Sequence, residues 1–460
     1  MFACKRFFSA SIVLMLISVS VRAEGTERGR QYCSGTLPIM FINSEEAITS
    51  KETYVNATCY IDALGQEGYE SLGTAEFPIQ LLIKGRGNWT WRAFEKKPYR
   101  LKFEDNVRPL GMRENRHFTL LAHADDDLVF LRNTCGFELS RLIGFAYTPA
   151  QEPVEVVLNG DYVGLYMLTE KIRVGRNRVE ITKQADLATD PDEITGGWLL
   201  EIDNYVQESG QIKLENSPEP DFTYHTPEVL SKEQEEYITK FLTATDEAVN
   251  NLSAANHTWE NYIDMDTLAR YYIVREIMDD AESFRGSCFM HKERGKDTKL
   301  EFGPVWDFGN SFQRGHNKFI WQDPPYGAMW IGNIYKSSRF KKCVKEIWRP
   351  FLGMQYPKLD KVIDDFIERI RYAVDCNVAR WPEAYTGPID SRKLLMKNCL
   401  SEKVEFLTKK WGKGIVNSFI SPVMTQDDDS YWYTLEGRRL NTKPSAPGLY
   451  LHGRRKVLIR

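Results

Sequence analysis

Near residue 231 the chain changes its hydrophobic period, and that change limits the folds open to it. Before it, apolar residues recur at every second position in short runs, the repeat of a strand with one buried face. Residues 38–42, 77–83, 154–158, 162–168 and 196–202 read as strands, and Asn159-Gly160-Asp161 reads as a hairpin turn. One helical run, 128–143, interrupts this half, with Val129, Leu131, Phe137, Leu139 and Leu142 as its buried stripe. Residues 209–230 are polar, contain three prolines and read as a loop. After it, 232–252, 263–280, 338–352, 358–380 and 391–411 follow the helical period, around a short strand at 300–308 that runs into a loop. Strands grouped ahead of helices predict an α+β fold, two lobes with a cleft between them, rather than repeated βαβ units.

The chain ends read differently. Lys5 and Arg6 precede an apolar run that closes at Val21-Arg22-Ala23, the pattern of a secretory signal over residues 1–23. The chain is then expected to be exported: periplasmic, secreted or at the cell surface. Removing that stretch takes away three basic and no acidic residues, and the net charge falls from -4 to -7. This gives no reason to expect nucleic acid as a partner. No other apolar run approaches the length of a membrane span. Seven cysteines remain, without a CxxC pair, so a zinc ribbon is excluded. In an oxidising compartment Cys33–Cys59 and Cys376–Cys399 are the candidate bridges, and Cys135 is expected to be a core residue. The expected division is 24–36 as an amino-terminal segment, 37–412 as one large domain, 413–429 as a linker, and 430–460 as a small β tail of three strands.

Four clusters carry chemistry. Lys84-Gly85-Arg86-Gly87-Asn88 with Lys96-Lys97 places cations beside glycines, a combination that lets backbone and charge approach an anion. Glu170 follows the hairpin and could orient a phosphate-binding lysine. Glu201 and Asp203 end an apolar strand, a common cleft wall. Asp279, Asp280 and Glu282 gather at a helix end, and Asp307 stands between Trp306 and Phe308 about 25 residues later. Such carboxylates suit a hard cation. Each cluster also has a plain reading, as a solvated strand, hairpin or helix end. No HExxH or GxSxG motif occurs. Cys288 with His291 lacks a third group for thiol catalysis.

Taken together and in order, these elements resemble the spore-coat-H (CotH) kinase-like family. The resemblance rests on Arg86-Gly87-Asn88 with Trp91 and Lys96-Lys97-Pro98-Tyr99-Arg100, then Arg132-Asn133, then Asn159-Gly160-Asp161-Tyr162 through Glu170. It continues with Gly196-Gly197-Trp198-Leu199-Leu200-Glu201 and ends at Gly303-Pro304-Val305-Trp306-Asp307-Phe308. It implies an atypical protein-kinase-like fold that transfers the γ-phosphate of ATP to Ser or Thr of a protein, with Mg²⁺. It implies Asp307 as the metal-holding residue and puts Glu282, or Asp280, at the place of the catalytic or metal Asp. Arg86, Lys97 and Glu170 are its phosphate contacts and orienting carboxylate, with Lys96 and Lys97 hard to separate, and Glu201 joins the nucleotide-binding set. Two departures stand out: Gly309 where many relatives carry a second Asp, and Glu282 for Asp. They leave open a catalytically inactive kinase-fold surface or adhesion protein. The many carboxylates leave a secreted carbohydrate-active enzyme as a third reading. The tail is similar to short sorting-type β domains of exported Gram-negative proteins.

Overall fold

Period-two alternation in seven strands closes into a barrel. The computed structural model describes residues 27–203, 210–215, 217–251, 257–280, 282–313, 315–384, 387–414, 432–433, 439–440, 443–452 and 455–459. The signal-like stretch 1–23 and nearly all of the 413–429 linker lie outside these residues. The barrel strands are β1 (Ile39–Ser44), β2 (Val55–Asp62), β3 (Ile79–Gly85), β4 (Tyr99–Val107), β5 (Asn115–Leu121), β6 (Gln151–Leu158) and β7 (Asp161–Glu170), in the order β1-β2-β3-β4-β5-β7-β6. Every neighbouring pair is antiparallel except β1 with β6, the parallel pairing that closes the ring. Alternate residues point inward: Met40 and Ile42, Cys59 and Ile61, Leu81 and Ile83, Leu101 and Phe103, Phe118 and Leu120, Val154 and Val156, Tyr166 and Leu168 fill the interior. At the β6–β7 turn Asn159 and Gly160 both take positive φ (51° and 82°), which a two-residue hairpin turn requires.

Glu170 ends β7 with no solvent exposure. Its carboxylate accepts from Arg178 at 2.9 Å, from Arg113 at 3.0 Å and 3.2 Å, and from the Ala150 backbone N–H at 3.0 Å. It therefore clamps the barrel rim.

The outer face of β7 is also covered. Leu165 and Met167 pack into the large core that the helices share. A second sheet, in the order β12-β11-β8-β10-β9, sits within that core: β8 (Trp198–Ile202), β9 (Gln211–Ile212), β10 (Phe222–Thr226), β11 (Cys288–Lys292) and β12 (Leu300–Phe302). The helices are α1 (Trp89–Ala93), α2 (Leu131–Ile143), α3 (Lys232–Asn250), α4 (Met265–Ile277), α5 (Trp330–Ile334), α6 (Ser338–Met354), α7 (Lys358–Arg380) and α8 (Ile389–Trp411). The helical half begins at a capping box: Ser231 Oγ accepts from the Gln234 N–H at 3.1 Å and Gln234 Oε1 accepts from the Ser231 N–H at 2.8 Å.

Several expectations are corrected. The stretch 209–230 holds β9 and β10, because Phe222 is fully buried and pairs with Ile202 while the prolines fall outside the strands. The run expected at 128–143 becomes helical only at Leu131, since Val129 and Phe130 take positive φ. The strand after Leu300 stops at Phe302, followed by Gly303 at φ 116° and a proline that has no N–H to give. The tail holds four short strands rather than three: β13 (Trp432–Tyr433), β14 (Arg439–Leu440), β15 (Gly448–His452) and β16 (Arg455–Ile459). No disulfide joins the seven described cysteines. Cys59 points into the barrel while Cys33 packs outside it, against Tyr60 on the opposite face of β2. Cys376 packs against that same outer face, and Cys399 instead hydrogen-bonds His316. Cys135 is fully buried, as expected.

Replacing Glu170 by alanine leaves Arg178 buried and unpaired. Urea unfolding of Glu170→Ala is expected to show a loss of about 3 kcal/mol. A loss under about 0.5 kcal/mol would remove the clamp.

Candidate functional site

At the end of β3 Gly85 lets the Trp91 ring pack on the backbone, since a Cβ there would stand 2.5 Å from that ring, and Gly87 just beyond takes φ 80°. Lys84 in β3 and Arg86 just after it line a cleft of about 1030 Å³. The barrel side adds Arg100 from β4 and Asp125 from the loop after β5. The opposite wall carries Glu201 from β8, Glu282 from the loop after α4, and Asp307 and Asn310 from the loop after β12. Arg86, Glu201, Glu282 and Asp307, four residues picked out by sequence, thus meet in one cleft.

Four others stand elsewhere. Lys97 Nζ donates to the Trp91 carbonyl at 2.8 Å and lies over the Trp91 ring. Lys96 is sealed below it, donating to the Ala122 carbonyl at 2.8 Å and to the Leu165 carbonyl, and burial holds its pKa well below the usual lysine range. Neither lysine lines the cleft; Lys84, which heads the same cluster and carried no assigned role, does. Glu170 is spent on the barrel rim. Asp280, 1% exposed, is held by Arg275 and does not line the cleft.

Arg275 organises the carboxylate wall. It is fully buried on α4, pairs with Asp280 through Nη1, and donates to the carbonyls of Trp306 (2.7 Å), Asp307 (3.0 Å) and Ser287 (3.2 Å) and to Tyr271 Oη (2.8 Å). Its guanidinium also stacks 4.5 Å over Phe308. Burial raises the Asp280 carboxyl, Arg275 opposes the shift and Asp307 adds to it. Asp280 Oδ1 accepts from the Glu282 N–H at 3.0 Å, so the buried pair fixes where Glu282 leaves the chain. Glu282 then accepts from Asn310 Nδ2.

Asp307 itself has φ 52° and accepts from the Gly309 N–H at 3.1 Å. The Phe308 N–H donates to Asn133 Oδ1 at 2.8 Å, and Phe308 occupies space that any side chain on Gly136 would need: a Cβ there would lie 2.2 Å from its ring. Arg132 donates to Asp126 at 2.7 Å and to the Ser311 carbonyl at 3.0 Å, joining the Asp125 loop to the Asp307 loop.

Charges across the cleft face one another. Burial lowers the Arg86 pKa, while Asp307 and then Glu201 oppose the shift and Arg100 adds to it. Burial raises the Asp125 carboxyl, and the Asp307 charge raises it further. Glu201 Oε2 meets His225 Nε2 at 2.7 Å, with the His225 ring stacked on Phe289. Among the described residues no group of three or more His, Cys, Asp or Glu side chains is arranged to hold a metal ion. Cys288 is fully buried against Tyr271, so thiol chemistry with His291 has no place there. No helix among the described residues is long and apolar enough to cross a membrane.

Behind the wall, Lys403 is fully buried on α8 and bridges Glu276 at 3.0 Å and Asp279 at 2.8 Å. His316 Nδ1 meets the other Asp279 oxygen at 2.9 Å, and its pKa rises to about 9 through Asp279 and then Cys399. A raised histidine contributes stability below its unfolded value near 6.5 that is lost as pH rises through 9. Thermal melts are expected to fall between pH 6.5 and 9, and His316→Gln to flatten that slope; an unchanged slope in the variant would assign it to other groups.

The family described as CotH kinase protein matches residues 83–407, from the end of β3 to α8. No curated protein matches the chain. The matched stretch contains Arg86, Glu201, Glu282 and Asp307 as well as Arg275, which holds the loops of the last two together. The chain belongs to the CotH kinase protein family.

Proposed function

We propose that the chain is an exported atypical kinase that transfers the γ-phosphate of ATP to a Ser or Thr hydroxyl of a protein. The barrel, and the second sheet with its helices, would act as two lobes around the cleft. The observation that carries this reading is the meeting in one cleft of barrel-borne Lys84, Arg86 and Asp125 with the carboxylates of Glu282 and Asp307 from the other wall. Phosphoryl transfer depends on positioning and charge neutralisation rather than on covalent chemistry by the protein, and such a cleft supplies both.

In this reading Lys84 and Arg86 bind phosphate oxygens, Lys84 taking the part that sequence gave to Lys97. Glu282, anchored through Asp280 and Asn310, accepts the proton of the acceptor hydroxyl as its oxygen bonds to the γ-phosphorus and the bond to the β–γ bridging oxygen breaks, releasing ADP. Asp280 serves as a positioning residue. The donor set fits a hard cation: Asp125 and Asp307 repel each other, and a dication between them would relieve that repulsion. Asp125 and Asp307 would hold Mg²⁺, which supplies neutralisation of phosphate charge.

Purified protein is to be incubated with Mg²⁺ and γ-labelled ATP. Label transfer is expected to fall about 100-fold or more in Asp307→Ala, with little change in thermal stability because Asp307 is exposed. Lys84→Met is expected to raise the KM for ATP, while Lys97→Met leaves it unchanged. Absence of both nucleotide binding and transfer in the unmodified chain would sink the proposal. Gly309 favours a second reading, a kinase-fold binding protein; capture of a partner that persists in Asp307→Ala, with no nucleotide bound, would support it.

A further inference from the structure

Cys33 and Cys376 lie far apart in sequence and share one apolar cluster on the outside of the barrel, with Ile39, Phe41, Tyr60, Val157 and Tyr162. Tyr162 organises the approach of both. On one side the short helical turn Arg28–Tyr32 is pressed on β7: a Cβ on Gly29 would meet the Tyr162 backbone nitrogen at 2.7 Å. Cys33 closes that turn with its Sγ 3.8 Å from the Gly29 carbonyl. Ser34 then fastens the segment, donating its N–H at 2.9 Å and its hydroxyl at 2.6 Å to Glu155, which also accepts from Tyr162 Oη at 2.9 Å.

On the other side α7 is fastened to the same stretch of β7. Arg380 Nε donates to the Tyr162 carbonyl at 3.1 Å, Trp381 Nε1 to the Val163 carbonyl at 3.0 Å, and Asn377 Oδ1 accepts from the Leu165 N–H at 3.0 Å. Cys376 precedes Asn377 and lies one turn before Arg380. Each half of the surroundings is therefore fixed independently, and both thiols stand against the one apolar cluster.

We propose that Cys33 and Cys376 form a disulfide that ties the amino-terminal turn to α7 across the outer face of the barrel. The co-reactant is a disulfide-bearing oxidant. Cys376, the less deeply buried thiol, loses its proton and attacks one sulfur of that disulfide, expelling the other as a thiolate. The Cys33 thiolate then attacks Cys376 Sγ, the mixed disulfide breaks, and the second oxidant thiol leaves. Two protein thiols are oxidised and one oxidant disulfide is reduced to two thiols. The bond would close a loop containing the whole barrel and most of the helical half. The pairing rests on packing alone and stands apart from the kinase reading.

Reduced, folded full-length protein is to be incubated with glutathione disulfide, alkylated natively, digested without reductant and mapped by mass spectrometry. The expected product is one intramolecular Cys33–Cys376 linkage, with Cys343 and Cys399 still alkylated. The oxidised protein is expected to melt about 5 °C above the reduced form. That difference should vanish in Cys33→Ser and in Cys376→Ser. Alkylation of both residues after oxidation, glutathione retained on either without a bridge, or linkage of either to another cysteine would overturn the proposal. Because the mapping uses the unmodified chain, a variant that fails to fold does not decide the outcome.

Discussion

The ion pair between Arg275 and Asp280, buried at the end of α4, holds the carboxylate wall together. A pair of this kind contributes little net stability against an apolar replacement, yet loss of one partner costs about 3–5 kcal/mol because the other charge is stranded. Its value here is geometric. One guanidinium takes the backbone carbonyls of Ser287, Trp306 and Asp307, while its partner carboxylate takes the Glu282 N–H. Two loops separated in sequence are thereby set at a fixed spacing by a rigid planar fork.

The barrel solves a complementary problem. Lys84 is carried by β3, a strand held in register on both sides, and Arg86 follows directly after it. The two-faced burial of β7 joins this rigid cylinder to the helical core, with Leu165 and Met167 on one side and Tyr166 and Leu168 on the other. Lys84, Arg86 and Asp125 thus come from the barrel and Glu201, Glu282 and Asp307 from the other framework, and Arg132 ties the Asp125 loop to the Asp307 loop, so the charges are preorganised by the fold.

Much of the architecture was legible from periodicity. The long helices from Lys232 onward lie within two or three residues of the positions their apolar spacing predicts, since amphipathic burial decides them, while the five-residue α5 was not expected. Closure of the barrel was not legible, because the parallel β1–β6 pairing joins residues more than a hundred apart and leaves no local mark. β10 was hidden by flanking prolines, and β11 by its brevity. In the site, Arg86, Glu201, Glu282 and Asp307 were found because each stands in or just after an apolar run of the sequence, where a charged residue has access to a cleft. Lys97, Glu170 and Asp280 were misplaced because nothing in a sequence distinguishes a carboxylate or lysine that faces a cleft from one consumed by carbonyls and guanidinium groups. Asp125 was missed because it sits in a run of three aspartates without a motif of its own, and Lys84, though part of the first cluster, had nothing local to separate it from Lys96 and Lys97.

The space that Gly136 leaves for Phe308 separates two duties within one short stretch. Phe308 is locked under α2, over Arg275 and to Asn133, whereas its neighbour Asp307 projects into solvent and makes little demand on the core. Folding is guarded by an aromatic ring and a glycine hydrogen, and charge is presented by the residue beside them. A change at Asp307 would therefore alter the charge offered to the cleft and leave the scaffold intact, whereas any side chain at Gly136 would displace Phe308 and the loop that Phe308 anchors.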